Sequence, residues 1–283
     1  MKSWKFFGKI PYKDIILLAS IPLILTIIFL LPSSIKDTLI LHYYSPAILG
    51  FYFTHFVHET MPHFLGNLFL YLVLMALIYL FAVVSKNKKE FYWVFFIFVI
   101  LLPLVLSSIS LSLVRAFHVD IQRGLGFSGI DSAFLGVVPF FIFSSIKKKL
   151  WPDVEIADGL LAVLFFTFVV EMVTYGVTRS YGIILLIVVS CLFFFYLWKL
   201  IKSMKIHGVE SLRKMFHDKP KRYTFLLISL TFLLYASALP SLFPLALKID
   251  GTLVDISTHY IGLTIGLFTS FYLGYRFGKI YKS

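Results

Sequence analysis

A chain of 283 residues that is 59% hydrophobic and only 14% charged, with mean hydropathy +0.91, is no soluble globular domain, where about 25% of residues are charged. Its net charge of +12 is spread over several short loops and calls for no nucleic-acid partner. The single cysteine, Cys191, lies inside an apolar run, which excludes an intramolecular disulfide and a thiolate metal site.

Eight apolar runs reach the roughly 17–25 residues that cross a bilayer. In chain order they are about Ile15–Leu31, His63–Val84, Phe91–Val114, Ser128–Ile146, Gly159–Val177, Gly182–Ile201, Tyr223–Leu242 and His259–Tyr275. The expected fold is all-α: a polytopic transmembrane helix bundle forming a single domain over residues 1–283. The first run lacks an A-x-A-like ending and reads as a retained span rather than a cleaved signal. Eight spans put both termini on one side. Lysines and arginines gather before the first span, after the second and fourth, between the sixth and seventh, and at the end. The positive-inside rule makes that side, and both termini, cytoplasmic. The loop Pro32–Pro62 is then external. With Tyr43, Tyr44, Phe51, Tyr52, Phe53 and Phe56 it is too aromatic for a free linker and is expected in the interface or packed on the bundle.

Three polar motifs open three of these spans at the external end. The second begins His58-Glu-Thr-Met-Pro-His63-Phe-Leu-Gly-Asn67, where His63 and Asn67, four apart, share one helical face. The fourth begins Gly126-Phe127-Ser128-Gly129 and continues with a small face of Ser128, Ser132 and Gly136. Glycines beside a serine let the backbone approach a bound group, and free first-turn N–H groups point over the serine. The eighth begins His259-Tyr-Ile-Gly262-Leu-Thr-Ile-Gly266, a histidine on a face with two glycines four apart. Small faces of this kind let two helices pack closely. Such packing would bring Ser128 and His259 together as nucleophile and base.

These residues resemble the signature of the rhomboid family of intramembrane serine proteases: His-x4-His-x3-Asn, Gly-x-Ser-Gly-x7-Gly and His-x2-Gly-x3-Gly, in that order. Here they stand as His58/His63/Asn67, Gly126/Ser128/Gly129/Gly136 and His259/Gly262/Gly266. The resemblance implies a serine endopeptidase (a hydrolase of the membrane) that cuts membrane-protein substrates in or beside their transmembrane segments. It implies Ser128 as nucleophile and His259 as general base. His63, Asn67 and the Ser128 amide would form the oxyanion hole, with His58 supporting the loop and no cofactor or metal required. It departs from the family in three ways. Three spans separate the serine and histidine spans where the common six-span core has one. Ser132 stands where an aromatic residue often stacks on the histidine. The Trp-Arg pair found in an external loop of some bacterial members is absent. The two extra spans are expected to be an accessory hairpin, 159–201, around the short turn Thr178–Tyr181, with Tyr223–Leu242 as the gate helix.

Other readings of the same residues are weaker. His55, His58, Glu59 and His63 suggest a metal site, but His58 and His63 are five apart, with Pro62 between them. Asp255 lies four before His259 and could complete a triad, although a helix-start polar residue is the simpler reading. Asp131 suits the N-terminal end of its own helix. Glu171 is an intramembrane carboxylate and so a functional candidate, although a hydrogen bond to a neighbouring span is the simpler reading. A client-binding pseudoprotease would be expected to lack serine or histidine. A transporter would be expected to carry ionisable residues at mid-membrane and repeated halves.

Overall fold

The structure is a computed structural model and describes residues 10–117, 121–174, 176, 180–204, 213, 216–242, 248–249, 252–253 and 256–280. It is an all-α fold. Helix α1 (Tyr12–Phe29) is followed by the short α2 (Ser33–Leu39), strand β1 (Leu41–His42), α3 (Ile48–Phe53) and a 3-10 turn, Thr54–Phe56. Then come α4 (Met61–Ser85), α5 (Lys88–Phe96), a π turn at Ile97–Leu101, α6 (Leu102–Ala116), β2 (Arg123–Gly124) and α7 (Ser128–Lys149). The chain continues through α8 (Ile156–Thr174), α9 (Ser180–Ser203), α10 (Lys219–Leu242), the strand pair β3 (Lys248–Ile249) and β4 (Thr252–Leu253), and α11 (Ile256–Ile280).

Among the described residues, seven helices are long and apolar enough to cross a membrane: α1, α4, the continuous α5–α6, α7, α8, α9 and α10. This makes the chain a multi-pass membrane protein. The sequence suggests eight such runs. The eighth is present as α11, whose 25 residues reach about 37 Å. His259, Thr264, Thr269 and Ser270 leave it less apolar than the other seven.

Contacts divide the chain into two compact units. The first comprises Met1–Leu77, Phe91–Leu135 and Leu247–Gly266. In it the loop between α1 and α4 is packed, as its aromatic content suggests: Leu41, Tyr43, Phe56 and Val57 are buried. Tyr43 and Leu41 join Leu111 and Val114 of α6 in one cluster, and the Tyr43 hydroxyl lies 2.8 Å from Ser110 Oγ. β1 pairs antiparallel with β2, Leu41 opposite Gly124. Pro103 has no N–H to offer the Val99 carbonyl four residues earlier. The Tyr52 hydroxyl donates to that carbonyl at 3.1 Å, beside the π turn. Burial pushes the Tyr52 phenol up, which keeps it a donor. Behind the start of α7, Phe127 and Phe134 pack against Tyr71, with Phe98 on Phe134 and Phe56 on Phe127.

The second unit comprises Ile78–Glu90, Gly136–Ala246 and Leu267–Ser283. Apolar burial gives helices little reason to associate inside lipid, so close approach and interhelical hydrogen bonds carry the packing. Ser270 Oγ donates to the Gly136 carbonyl at 2.9 Å, and Ser145 Oγ to the Phe81 carbonyl at 3.1 Å. Gly159 lets α8 lie against the Phe143 ring of α7, and Gly274 lets α11 lie against Leu160 and Ile156 of α8. Thr167 of α8 meets the Tyr235 hydroxyl of α10 at 3.0 Å. Helix α8 therefore packs on α7, α10 and α11 as well as on α9, and the close approaches at Gly159 and Gly274 are the physical reason. Helix α9 is mostly exposed along its length. Thr178 and Arg179 of the expected turn Thr178–Tyr181 lie outside the described residues.

Candidate active site

Three segments of the first unit meet at the start of α7. Ser128 is the first residue of that helix and half-buried, and its Oγ lies 2.6 Å from Nε2 of the buried His259 on α11. The approach of α11 depends on its glycine: a Cβ at Gly262 would run into the Gly129 carbonyl and lie 3.3 Å from Ser132 Cβ. Gly129 is equally confined, with Thr258 Cβ 3.3 Å and Leu106 Cδ1 3.0 Å from where its Cβ would be. Gly266 is buried one turn further along. Ser132 is fully buried beside this contact. The Ser132 hydroxyl turns back to donate to the Ser128 carbonyl at 2.8 Å.

The turn before Ser128 runs against α4. Gly126 has φ +113°, a left-handed conformation that favours glycine. A Cβ there would lie 2.6 Å from Cε1 and 2.7 Å from Nε2 of His63, and 3.6 Å from Asn67 Nδ2. Both side chains of the α4 face thus border the turn. His58, fully buried in the loop before α4, joins them. Its Nε2 accepts from Asn67 Nδ2 at 2.8 Å and from the Phe127 N–H at 3.4 Å, and its ring packs edge-on to His63, centroids 4.9 Å apart. Burial, then the neighbouring His63 charge, lowers His58 to about 3. A neutral ring is what leaves Nε2 free to accept.

Ser128, His259, His63, Asn67, His58, Gly126, Gly129 and Gly262 are therefore gathered in one place. The four candidate metal residues do not meet at one point. His55 Nε2 donates to the Pro103 carbonyl at 3.1 Å, and Glu59 makes a bidentate ion pair with Arg123 at 2.8 and 3.2 Å. Among the described residues no cluster of three His, Cys, Asp or Glu side chains is placed to hold a metal. Asp255 lies outside the described residues. Asp131 is fully buried and neither carboxyl oxygen has a hydrogen-bond partner among the described residues. Glu171 belongs to the second unit.

Comparisons with protein-family models, curated proteins and solved structures find no match. The reading of this site consequently rests on its own chemistry. A hydroxyl at 2.6 Å from an imidazole nitrogen can be deprotonated as it attacks. N–H groups of a helix start, an asparagine amide and an imidazole beside it can stabilise negative charge on oxygen. One residue at this site carries no signal in the sequence. Thr54, buried between aromatic neighbours in the loop between α1 and α4, binds the Gly124–Gly126 turn through both its hydroxyl and its carbonyl.

Proposed function

We propose that this protein is an intramembrane serine protease of the rhomboid kind, hydrolysing a peptide bond in or beside a transmembrane segment of another membrane protein. The observation that carries the reading is the 2.6 Å approach of Ser128 Oγ to His259 Nε2, with His63 and Asn67 bordering the turn that presents the serine. His259 takes the proton from Ser128 as Oγ attacks the scissile carbonyl carbon. The oxyanion that forms is held by Asn67, His63 and the Ser128 amide. As the C–N bond breaks, His259 returns the proton to the leaving amine, and an acyl-enzyme remains. Water, deprotonated by His259, then attacks the ester and frees the new carboxyl group and Ser128. The substrate partners are membrane-spanning chains in the same bilayer, and the chemistry needs neither metal nor cofactor. We place the termini on the cytoplasmic side and the site near the external face, following the distribution of basic loops.

A fluorophosphonate or isocoumarin tests the reading in detergent or vesicles. It should modify Ser128 and leave Ser107, Ser132 and Ser270 untouched. His259→Ala should abolish the labelling, and Asn67→Ala should slow it by about 100-fold or more, the usual worth of one oxyanion donor. Labelling that survives in folded His259→Ala, or that falls on another serine, rules the mechanism out. Cleavage of a membrane-protein substrate should disappear in Ser128→Ala.

A further inference from the structure

Thr54 stands in none of the three motifs, yet it ties together the segments that present Ser128. Its hydroxyl donates to the Gly124 carbonyl and accepts from the Leu41 N–H at 3.1 Å. Its own carbonyl accepts from the Gly126 N–H at 3.0 Å. The residue is 2% exposed, so water does not compete for these bonds. Thr54 is itself fixed in place. The next residue, His55, bonds to the Pro103 carbonyl and lies 3.0 Å from Ser107 Oγ, which fastens the 3-10 turn to α6. Phe56 packs its ring on Phe127, centroids 5.5 Å apart. A rigid anchor on α6 thus reaches the Gly124–Gly126 turn through one side chain and one carbonyl.

We propose that Thr54 is a positioning residue whose hydroxyl sets the height of the Gly124–Gly126 turn, and through it the direction of the Ser128 amide and Oγ. This rests on the protease reading above. Without the hydroxyl, the buried Leu41 N–H and Gly124 carbonyl each lose a partner, and the turn must move to recover one. It has little room. On one side His63 already lies as close to Gly126 as a missing Cβ allows. A displacement of order 1 Å at a reacting group costs about 100-fold in rate.

Thr54→Val removes the hydroxyl and keeps the shape, while Thr54→Ser keeps the hydroxyl. Thr54→Val is expected to lower kcat on a membrane-protein substrate by about 10- to 100-fold with KM unchanged, and to speed hydrogen exchange at the Gly126 and Ser128 amides. Thr54→Ser should stay within about threefold of wild type in both. Melting temperatures of all three proteins separate a displaced turn from loss of folded protein. Wild-type kcat and exchange in Thr54→Val, or equal losses in both variants, overturn the proposal and leave Thr54 a packing residue. A wild-type protein that neither cleaves nor is labelled at Ser128 refutes the protease reading instead. Hydrogen exchange then still decides whether Thr54 holds the turn.

Discussion

The turn that leads into Ser128 and the α8–α9 pair are held by different means. Around the turn, polar groups reach across between segments far apart in the chain: Thr54 to Gly124 and Gly126, His58 to Asn67 and Phe127, β1 to β2. Between α8 and α9 the contacts are mostly between rings, Phe165 on Tyr196 at 5.7 Å and Phe166 on Phe193 at 5.8 Å, with one ion pair from Lys199 to Asp158 at 2.7 Å. Hydrogen bonds fix angles, whereas ring packing mainly fixes separation. A nucleophile needs both, so the candidate chemistry lies where directional bonds converge. The helices that serve as scaffold can tolerate looser constraint.

That contrast can be broken or sharpened by substitution. The largest effect is expected at Gly262, where a methyl group meets backbone rather than a movable side chain. Gly262→Ala should force α11 off α7, part Ser128 from His259 and lower the rate of fluorophosphonate labelling at least about 100-fold. Gly66, one residue before Asn67, has open space around its Cβ position. Gly66→Ala should leave labelling intact and add about 0.5–1 kcal/mol of stability from helix propensity alone. Equal losses in the two variants would show that any change to these helices disables the site.

The second effect is on pH. The folded protein protonates His58 only near pH 3, the unfolded chain near 6.5. Between those values the unfolded state binds more protons, so stability falls as pH drops below 6.5. By pH 5 the loss from this one group should be about 2 kcal/mol, and His58→Gln should remove that part of the pH dependence. An equal loss of stability between pH 7 and pH 5 in both proteins, read from denaturant titrations, counts against a buried neutral ring. The smallest effect is expected on α9. Leu185 is 53% exposed, and Leu185→Ala should change stability by less than about 0.5 kcal/mol and leave labelling alone. A larger loss would mean that α9 is held more tightly than its ring contacts imply.

The helices were legible because lipid demands long uninterrupted apolar runs, a signal as strong as any in a sequence. The meeting of Ser128 and His259 was legible for a second reason: small residues four apart mark the faces where backbones touch, and both helices carry them. Thr54 was not legible. It lies 74 residues before Ser128, and its role depends on a two-residue strand pair and a 3-10 turn that leave no periodic trace. The contacts of α8 were hidden in the same way. They hinge on Gly159 and Gly274, single glycines with no spacing rule to connect them.

The bond from Tyr52 to the Val99 carbonyl has a consequence for how this sequence can drift. The phenol answers an acceptor that a proline four residues later cannot serve, so the hydroxyl and the imino acid are worth keeping only together. Losing Tyr52 alone strands a carbonyl in α6's approach. Losing Pro103 alone supplies an amide that competes with the phenol and frees the loop between α1 and α4 from one of its moorings. Substitution at these two positions should therefore be tolerated in pairs.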